Sequence, residues 1–139
     1  MTTARSRRTA QAQVRNPGLR WVLYLIDAGL LVASGLIHLH LWDIAYREVK
    51  VLDVLFLVQA AAAIVAAVAV LVTRHLLVVL AAALLMAGTI VGFILARTSG
   101  IFGFHLAFSS GLADTVLIIE AAAVVALTVT AVTQLRPRR

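Results

Sequence analysis

The chain has 139 residues, of which 63% are hydrophobic and only 13% are charged, and its mean hydropathy is +1.04. A soluble domain of this length needs a charged surface, so the composition excludes a soluble enzyme and predicts a small all-α membrane protein without a separate soluble module. The absence of cysteine excludes disulfides, thiolate zinc sites, iron–sulfur clusters and cysteine nucleophiles.

The chain begins with a polar, basic segment that contains no acidic residue, residues 1–20. We interpret it as a cytoplasmic tail, and a transit peptide is the alternative, because transit peptides are also rich in arginine and poor in acids. The apolar run that follows is longer than the h-region of a cleaved signal peptide, so a signal-anchor is favoured. A second basic tail, residues 134–139, ends the chain.

Four apolar stretches lie between the tails, and each has roughly the length that crosses a hydrocarbon core of about 30 Å. A polar turn at 43–50, a tight turn at Arg74-His75 and a longer external loop at 97–112 connect them. This order predicts a four-helix transmembrane domain, residues 21–133, folded as an up-down bundle. The predicted spans are 21–41, 51–73, 76–96 and 113–133.

Basic residues are distributed unevenly between the two sides of this bundle. Nine of the twelve lysines and arginines lie in the tails or in the Arg74 turn, and three lie in the other two connections. The positive-inside rule therefore predicts that both termini are cytoplasmic, N-in and C-in. Topology and contact with the lipid bilayer account for the net charge of +6, and no nucleic-acid partner is expected.

Small residues recur at every fourth position in the third span, where Gly88 and Gly92 form a GxxxG pattern. Small residues allow transmembrane helices to approach closely. We therefore predict that Gly88 and Gly92 pack against a helix, either inside the bundle or across a dimer. A chance pattern in an alanine-rich sequence is the remaining possibility.

The first span carries polar residues along one face. At about 100° per residue, Asp27, Ser34, His38 and Trp42 lie within about 60° of one line along the helix, which predicts a polar stripe that faces inward. His40 lies about 200° from His38, so the two histidines do not form a chelating pair in a continuous helix. We expect His40 and His75 to be interfacial.

Three polar side chains from three spans lie at a similar depth in the outer half of the membrane, namely His38, Gln59 and Glu120. The external loop brings Arg97 and His105 to the same side. In lipid, a buried charge needs a partner, a proton or a function. The cluster therefore predicts either hydrogen bonds that join the helices, with Glu120 protonated, or a proton-handling or cofactor-binding site.

Asp27 lies closer to the cytoplasmic side, within reach of Arg20 or Arg74. We predict a buried ion pair there, with a role in a proton path as the alternative. The external loop has phenylalanines and glycines on both sides of His105, which favours an interfacial or partly re-entrant segment. Such a segment would serve as a lid or as an interfacial anchor.

Several stretches of the sequence resemble a group of uncharacterised small four-helix integral membrane proteins from actinobacteria. They are ASGLIHLHLWD (33–43), Tyr46-Arg47, LDVLFLVQA (52–60), GFILARTSGIFGFH (92–105) and the glutamate of the fourth span. More loosely, the layout is similar to that of DoxX-type membrane proteins. The resemblance covers roughly residues 20–125, and it implies the fold and a bacterial plasma-membrane location but no activity, metal or heme.

Three functions are consistent with these features. An accessory or scaffold subunit of a larger membrane complex is favoured, with a membrane-protein partner or a second copy of the chain. The sequence contains no phosphate loop, HExxH or Ser-His-Asp arrangement, so we predict no enzymatic activity, no catalytic residue and no metal site.

The first alternative is a redox protein that binds heme, quinone or a metal at the His38, Gln59 and Glu120 cluster, and a heme would require His38 with His105. The second alternative is a proton-coupled carrier that acts as a dimer.

Overall fold

The computed structural model describes residues 17–100, 103 and 111–136, so the predicted tails and most of the external loop lie largely outside the described residues. No strand occurs in the described ranges. Four helices are each long and apolar enough to cross a membrane, which indicates a multi-pass membrane protein and confirms the predicted helical fold. They are α1 (Pro17–Leu41), α2 (Leu52–Thr73), α3 (Leu76–Thr98) and α4 (Gly111–Leu135).

The first helix is longer than the predicted span at both ends. It begins at Pro17, whose fixed φ and missing N–H suit a first helical turn. Beyond Leu41, where the predicted span ends, it continues as a π-helical turn, Trp42–Tyr46, so the first part of the predicted polar turn at 43–50 is helical. The guanidinium of Arg47 lies 5.4 Å from the centre of the Trp42 ring, a cation–π contact that supports the continued helix.

The four helices form a ring in which α1 and α3 each lie between α2 and α4. At one end, the Arg20 Nη2 atom donates a hydrogen bond to the Thr133 carbonyl oxygen at 3.2 Å. At the other end, the Tyr46 ring stacks on the Phe56 ring with centroids 4.3 Å apart. These contacts define an up-down-up-down bundle. We name the end that contains Arg20 the basic end, and the end that contains Tyr46 the cavity end.

The turn between α2 and α3 lies at the basic end. Arg74 has a left-handed backbone with φ 50°, and its N–H caps α2 by donating to the Val70 carbonyl oxygen. This conformation favours glycine, but the Arg74 guanidinium lies 4.1 Å from the centre of the Trp21 ring, and this contact favours arginine. His75 caps α3 by accepting a hydrogen bond from the Leu77 N–H at 3.4 Å, and its exposure agrees with the expected interfacial position.

A close approach of α1 and α2 occurs at Gly35. A Cβ atom on this glycine would lie 3.0 Å from the Ala60 carbonyl oxygen and 3.4 Å from the Ala63 Cβ. Ala60, Ala63 and Ala67 are buried along the facing side of α2. Small residues therefore bring these two helices together, as they do in many transmembrane pairs.

The interior and the exterior of the bundle are both apolar. Leu31, Val70 and Met86 are fully buried, whereas Val65, Leu84 and Val125 point outward and are exposed. Apolar outward faces in the middle of long helices are stable when lipid covers them. The packing thus agrees with a bundle that is solvated by a bilayer.

Candidate functional site

Polar side chains are buried along one face of α1. Asp27, Ser34 and His38 are all buried, which confirms the predicted common face. His40 is exposed on another face of the helix, as its angular separation from His38 predicts. The inward stripe meets polar residues of α4 at two levels, one near each end of the bundle.

At the cavity end, the stripe meets Glu120, whose side chain is fully buried. The Ser34 hydroxyl donates a hydrogen bond to Glu120 Oε1 at 3.3 Å. The His38 Nε2 atom lies 3.7 Å from the same oxygen. The structure thus brings together two members of the predicted cluster, His38 and Glu120, and adds Ser34 between them.

The hydrogen bonds of His38 determine where its proton lies. Its Nδ1 atom lies 2.9 Å from the Ser34 carbonyl oxygen, and a carbonyl oxygen only accepts, so Nδ1 carries a proton. In the neutral ring, Nε2 is then an acceptor that faces Glu120 Oε1. At 3.7 Å, the distance between Nε2 and Oε1 is longer than a hydrogen bond, so the two side chains are close neighbours without a direct hydrogen bond.

A cavity of about 450 Å³ lies beside this pair and is lined by residues of all four helices. Its walls are mostly apolar, and His38, Gln59 and Glu120 all line it, so the cavity unites the three predicted membrane residues. Leu84 and Gly88 line it as well and are exposed. The cavity therefore opens between α2 and α3 onto the outer surface of the bundle.

Two polar atoms at this cavity have no hydrogen-bond partner within the described part of the chain. They are Gln59 Nε2, which is a donor, and Glu120 Oε2, and both atoms are buried. A buried polar atom without a partner is destabilising by roughly 1–3 kcal/mol. Unpartnered buried polar atoms also occur at Asp27 and Gln134, but Gln59 and Glu120 are the two such residues that share the lining of one cavity.

An aromatic wall closes one side of the cavity. The His38 and Phe56 ring centroids are 5.4 Å apart, and Phe56 stacks in turn on Tyr46. Neither Phe56 nor Tyr46 is among the site residues predicted from the sequence. The signal that was available is the spacing of Phe56 and Gln59, which lie three residues apart and share a helix face.

The glycines of α3 do not pack against another helix of the bundle. An added Cβ atom at Gly88 or Gly92 would meet nothing within 4 Å, and both glycines line the cavity. The predicted packing inside the bundle is therefore wrong for the described residues, because these glycines leave space where a close contact was expected. Packing across a dimer remains a prediction.

Arg97 and His105 were predicted to lie above the cluster. The Arg97 side chain is exposed, and its Nη1 atom lies 3.6 Å from Asp114 Oδ1. Its guanidinium also lies 5.5 Å from the centre of the Phe93 ring, and Phe93 lines the cavity. Arg97 thus lies beside the cavity without lining it, and His105 lies outside the described residues.

Asp27 forms the second polar level, towards the basic end. Neither of its carboxyl oxygens has a hydrogen-bond partner in the described ranges, and Thr130 of α4 is its polar neighbour. Arg20 instead donates to Thr133, and Arg74 lies over Trp21. The predicted ion pair of Asp27 is therefore wrong, because both arginines bind at the end of the bundle and not at the depth of Asp27.

Replacing Asp27 with asparagine tests this arrangement. We expect the D27N variant to keep or raise the melting temperature, because the substitution removes an ionisable group that has no basic partner. Breaking a buried ion pair would instead lower the stability by about 3–5 kcal/mol. Thermal unfolding in detergent distinguishes an unpaired Asp27 from one in an ion pair. A large loss of stability in D27N would restore the ion-pair interpretation.

An apolar layer separates the two polar levels. Leu31 of α1 and Leu127 of α4 are fully buried and lie between Asp27 and Ser34 on one helix, and between Glu120 and Thr130 on the other. The described side chains therefore provide no continuous polar path from one acid to the other. This arrangement does not favour the carrier alternative for a single chain.

The described residues fit some cofactors of the redox alternative better than others. No group of three or more His, Asp or Glu side chains suited to a metal ion occurs within these ranges. For a heme, the Nε2 atom of His38 already faces Glu120, and no second described histidine lines the cavity. A neutral molecule that accepts and donates hydrogen bonds matches Gln59 and Glu120 better than a metal ion or a heme does.

Comparisons with known proteins identify no relative of this chain. No family model matches it, and neither a curated protein nor a solved structure is similar to it at a significant level.

Proposed function

We propose that this multi-pass membrane protein binds a lipophilic molecule with a compact, oxygen-bearing head group, of the quinone or quinol class, in the cavity between α2 and α3. The observation that carries the proposal is the pair of buried, unpartnered polar atoms, Gln59 Nε2 and Glu120 Oε2, at one apolar cavity. Quinone binding was one of the cofactor alternatives predicted from the sequence, and the scaffold function remains the competing proposal.

The two polar atoms match the chemistry of such a head group. A quinone carbonyl would accept a hydrogen bond from Gln59 Nε2, and a quinol hydroxyl would also donate one to Glu120 Oε2. The His38 ring, held by its bond to the Ser34 carbonyl, would keep the carboxyl group of Glu120 in place. Satisfying both atoms at once would remove the unfavourable free energy of leaving them unpaired.

The size and surroundings of the cavity match the rest of the molecule. Its volume of about 450 Å³ lies within the range of roughly 300–1,000 Å³ that is typical of small-molecule sites. Leu55, Leu85 and Phe93 provide apolar walls for a ring. The opening between α2 and α3 would let an apolar tail extend into the lipid and let the molecule enter from the bilayer.

The proposal includes location and orientation. We place the protein in a bacterial plasma membrane with both termini in the cytoplasm, which the concentration of arginine at the basic end supports. The resemblance to actinobacterial four-helix proteins supports the same location. We assign binding and no catalytic step, in keeping with the prediction that the protein is not an enzyme.

The experiment that tests the proposal is titration of the purified protein with a decyl-substituted para-benzoquinone, followed by tryptophan fluorescence and native mass spectrometry. Wild type should bind one molecule per chain. We expect Gln59→Leu to weaken binding by about tenfold, because it removes one hydrogen bond and leaves the ligand oxygen unpaired. Glu120→Gln should weaken binding of the quinol more than that of the quinone. The glutamine NH₂ group, which only donates, would replace the Oε2 atom that accepts the hydrogen bond of the quinol hydroxyl.

Gln134 provides the matched control. Its Nε2 atom is also buried without a partner in the described ranges, but it lies on α4 at the basic end and does not line the cavity. Gln134→Leu should bind the quinone as wild type does. Equal binding by all variants would overturn the proposal, and a native mass that contains only protein chains would favour the scaffold function.

A further inference from the structure

A second cavity, a groove of about 460 Å³, lies between α1 and α4 at the basic end. Leu19, Leu23, Val129 and Val132 form its apolar surface. Leu19, Val129 and Val132 are each exposed by about two fifths of their surface. The groove is thus an accessible apolar surface at the opposite end of the bundle from the cavity described above.

The polar side chains of this groove are mostly satisfied within their own helix. The Thr128 hydroxyl donates to the Val124 carbonyl oxygen at 2.7 Å, and the Thr133 hydroxyl donates to the Thr130 carbonyl oxygen at 2.7 Å. Neither threonine therefore offers its hydroxyl proton to a ligand. The charged groups that line the groove are two arginines, Arg20 and Arg136.

Arg20 is held along the groove. Its Nη2 atom donates to the Thr133 carbonyl oxygen at 3.2 Å, and a guanidinium has further N–H donors in a planar fork that suits phosphate. Arg74, at the same end, differs because it lies over Trp21 and does not line the groove. Arg20 and Arg136 are therefore the two arginines that line this groove.

The acidic residues of the chain lie away from the lining of this groove. The six acidic residues of the chain are Asp27, Asp43, Glu48, Asp53, Asp114 and Glu120. Asp27 is the nearest of them to Arg20 along the chain, and it is fully buried in the bundle. Among the described residues, no aspartate or glutamate lines the groove beside the two arginines.

We propose that this groove binds one anionic phospholipid, with its phosphate on Arg20 and Arg136 and an acyl chain on Leu19, Leu23, Val129 and Val132. The apolar area requires a tail, and the two guanidiniums require a negative head group, so neither a free phosphate nor a neutral lipid satisfies both. Basic pockets between transmembrane helices recognise anionic head groups in this way. The site is independent of the proposed quinone cavity.

The test is native mass spectrometry of the full chain, titrated with phosphatidylglycerol or with phosphatidylcholine that carries the same acyl chains. We expect wild type to bind phosphatidylglycerol at least about tenfold more tightly, and Arg20→Gln/Arg136→Gln to lose this preference. Arg47→Gln/Arg97→Gln, which removes two exposed arginines at the cavity end, is the matched control and should keep it. Equal binding of the two lipids by wild type would overturn the proposal.

Two further variants separate the head-group and tail contacts. Arg20→Lys/Arg136→Lys keeps the charge and should retain most of the preference, even if glutamine at position 20 destabilises the bundle. Val132→Trp fills the groove and leaves both arginines in place, so it should release the phospholipid while soluble glycerol phosphate still binds weakly. Retention of phosphatidylglycerol by Val132→Trp would show that the apolar groove is not the acyl-chain site and would overturn the assignment.

Discussion

Replacement of Gly35 by leucine is expected to separate α1 from α2 and to destabilise the folded bundle. A Cβ atom alone would lie 3.0 Å from the Ala60 carbonyl oxygen and 3.1 Å from the Ile64 Cγ1 atom. The oxygen belongs to backbone and cannot move without the helix. Overpacking usually destabilises by about 1–3 kcal/mol, and contact with backbone places this variant at or above about 3 kcal/mol. The expected measurement is a melting temperature in detergent that is lower by ~10 °C or more.

Gly29 provides the control for this substitution. It lies on the same helix, and an added Cβ atom would meet nothing within 4 Å. Gly29→Leu should therefore unfold at close to the wild-type temperature. Similar losses in both variants would indicate that leucine disturbs α1 in general, and an unchanged Gly35→Leu would show that the two helices do not approach closely.

The local part of the fold and of the site could be predicted from the sequence. A membrane-length apolar run forms a helix because the bilayer leaves backbone groups no other partners. Once α1 is helical, the residue spacing places Asp27, Ser34 and His38 on one face, and all three are buried. Counting residues from the ends of the spans similarly placed Gln59 and Glu120 at one depth, and both line the same cavity.

Helix contacts were harder to predict, because they depend on partners that the local sequence does not identify. Gly35 and Gly88 are both glycines in apolar helices, yet one meets a neighbouring backbone and the other meets open space. The GxxxG spacing predicts close packing at Gly88 and Gly92, whereas the close approach occurs at Gly35, which has no glycine four residues away. Small residues permit contact, but the shapes of both helices decide where it occurs.

The polar contacts of Asp27 were also difficult to predict from the local sequence. Arg20 lies seven residues before it and shares its face to a first approximation, so an ion pair was a reasonable expectation. The sequence does not reveal that the Thr133 carbonyl oxygen is a competing acceptor at the end of α4. Nor does it reveal that α1 continues as a π turn that brings Tyr46 to Phe56, since this turn depends on contacts between distant residues.

Replacement of Gly88 by leucine is expected to abolish quinone binding while the bundle remains folded. Gly88 lines the cavity, and an added Cβ atom meets nothing within 4 Å, so a larger side chain has room to enter the space that the ligand would occupy. Buried apolar surface also increases, which favours the folded state. Titration with the decyl-substituted quinone should show binding at least about a hundredfold weaker than in wild type.

Gly29→Leu again serves as the control, because it adds the same side chain on a helix face that does not line the cavity. It should bind the quinone normally. The oligomeric state of Gly88→Leu, measured in the same detergent, distinguishes two possible functions of the glycine face of α3, which are a ligand cavity and a contact between protein chains. A folded variant with unchanged oligomeric state and no quinone binding supports a ligand cavity. Dissociation of a wild-type dimer with quinone binding intact would instead identify the glycine face of α3 as a contact between protein chains, because the leucine would then occupy the interface and not the ligand site.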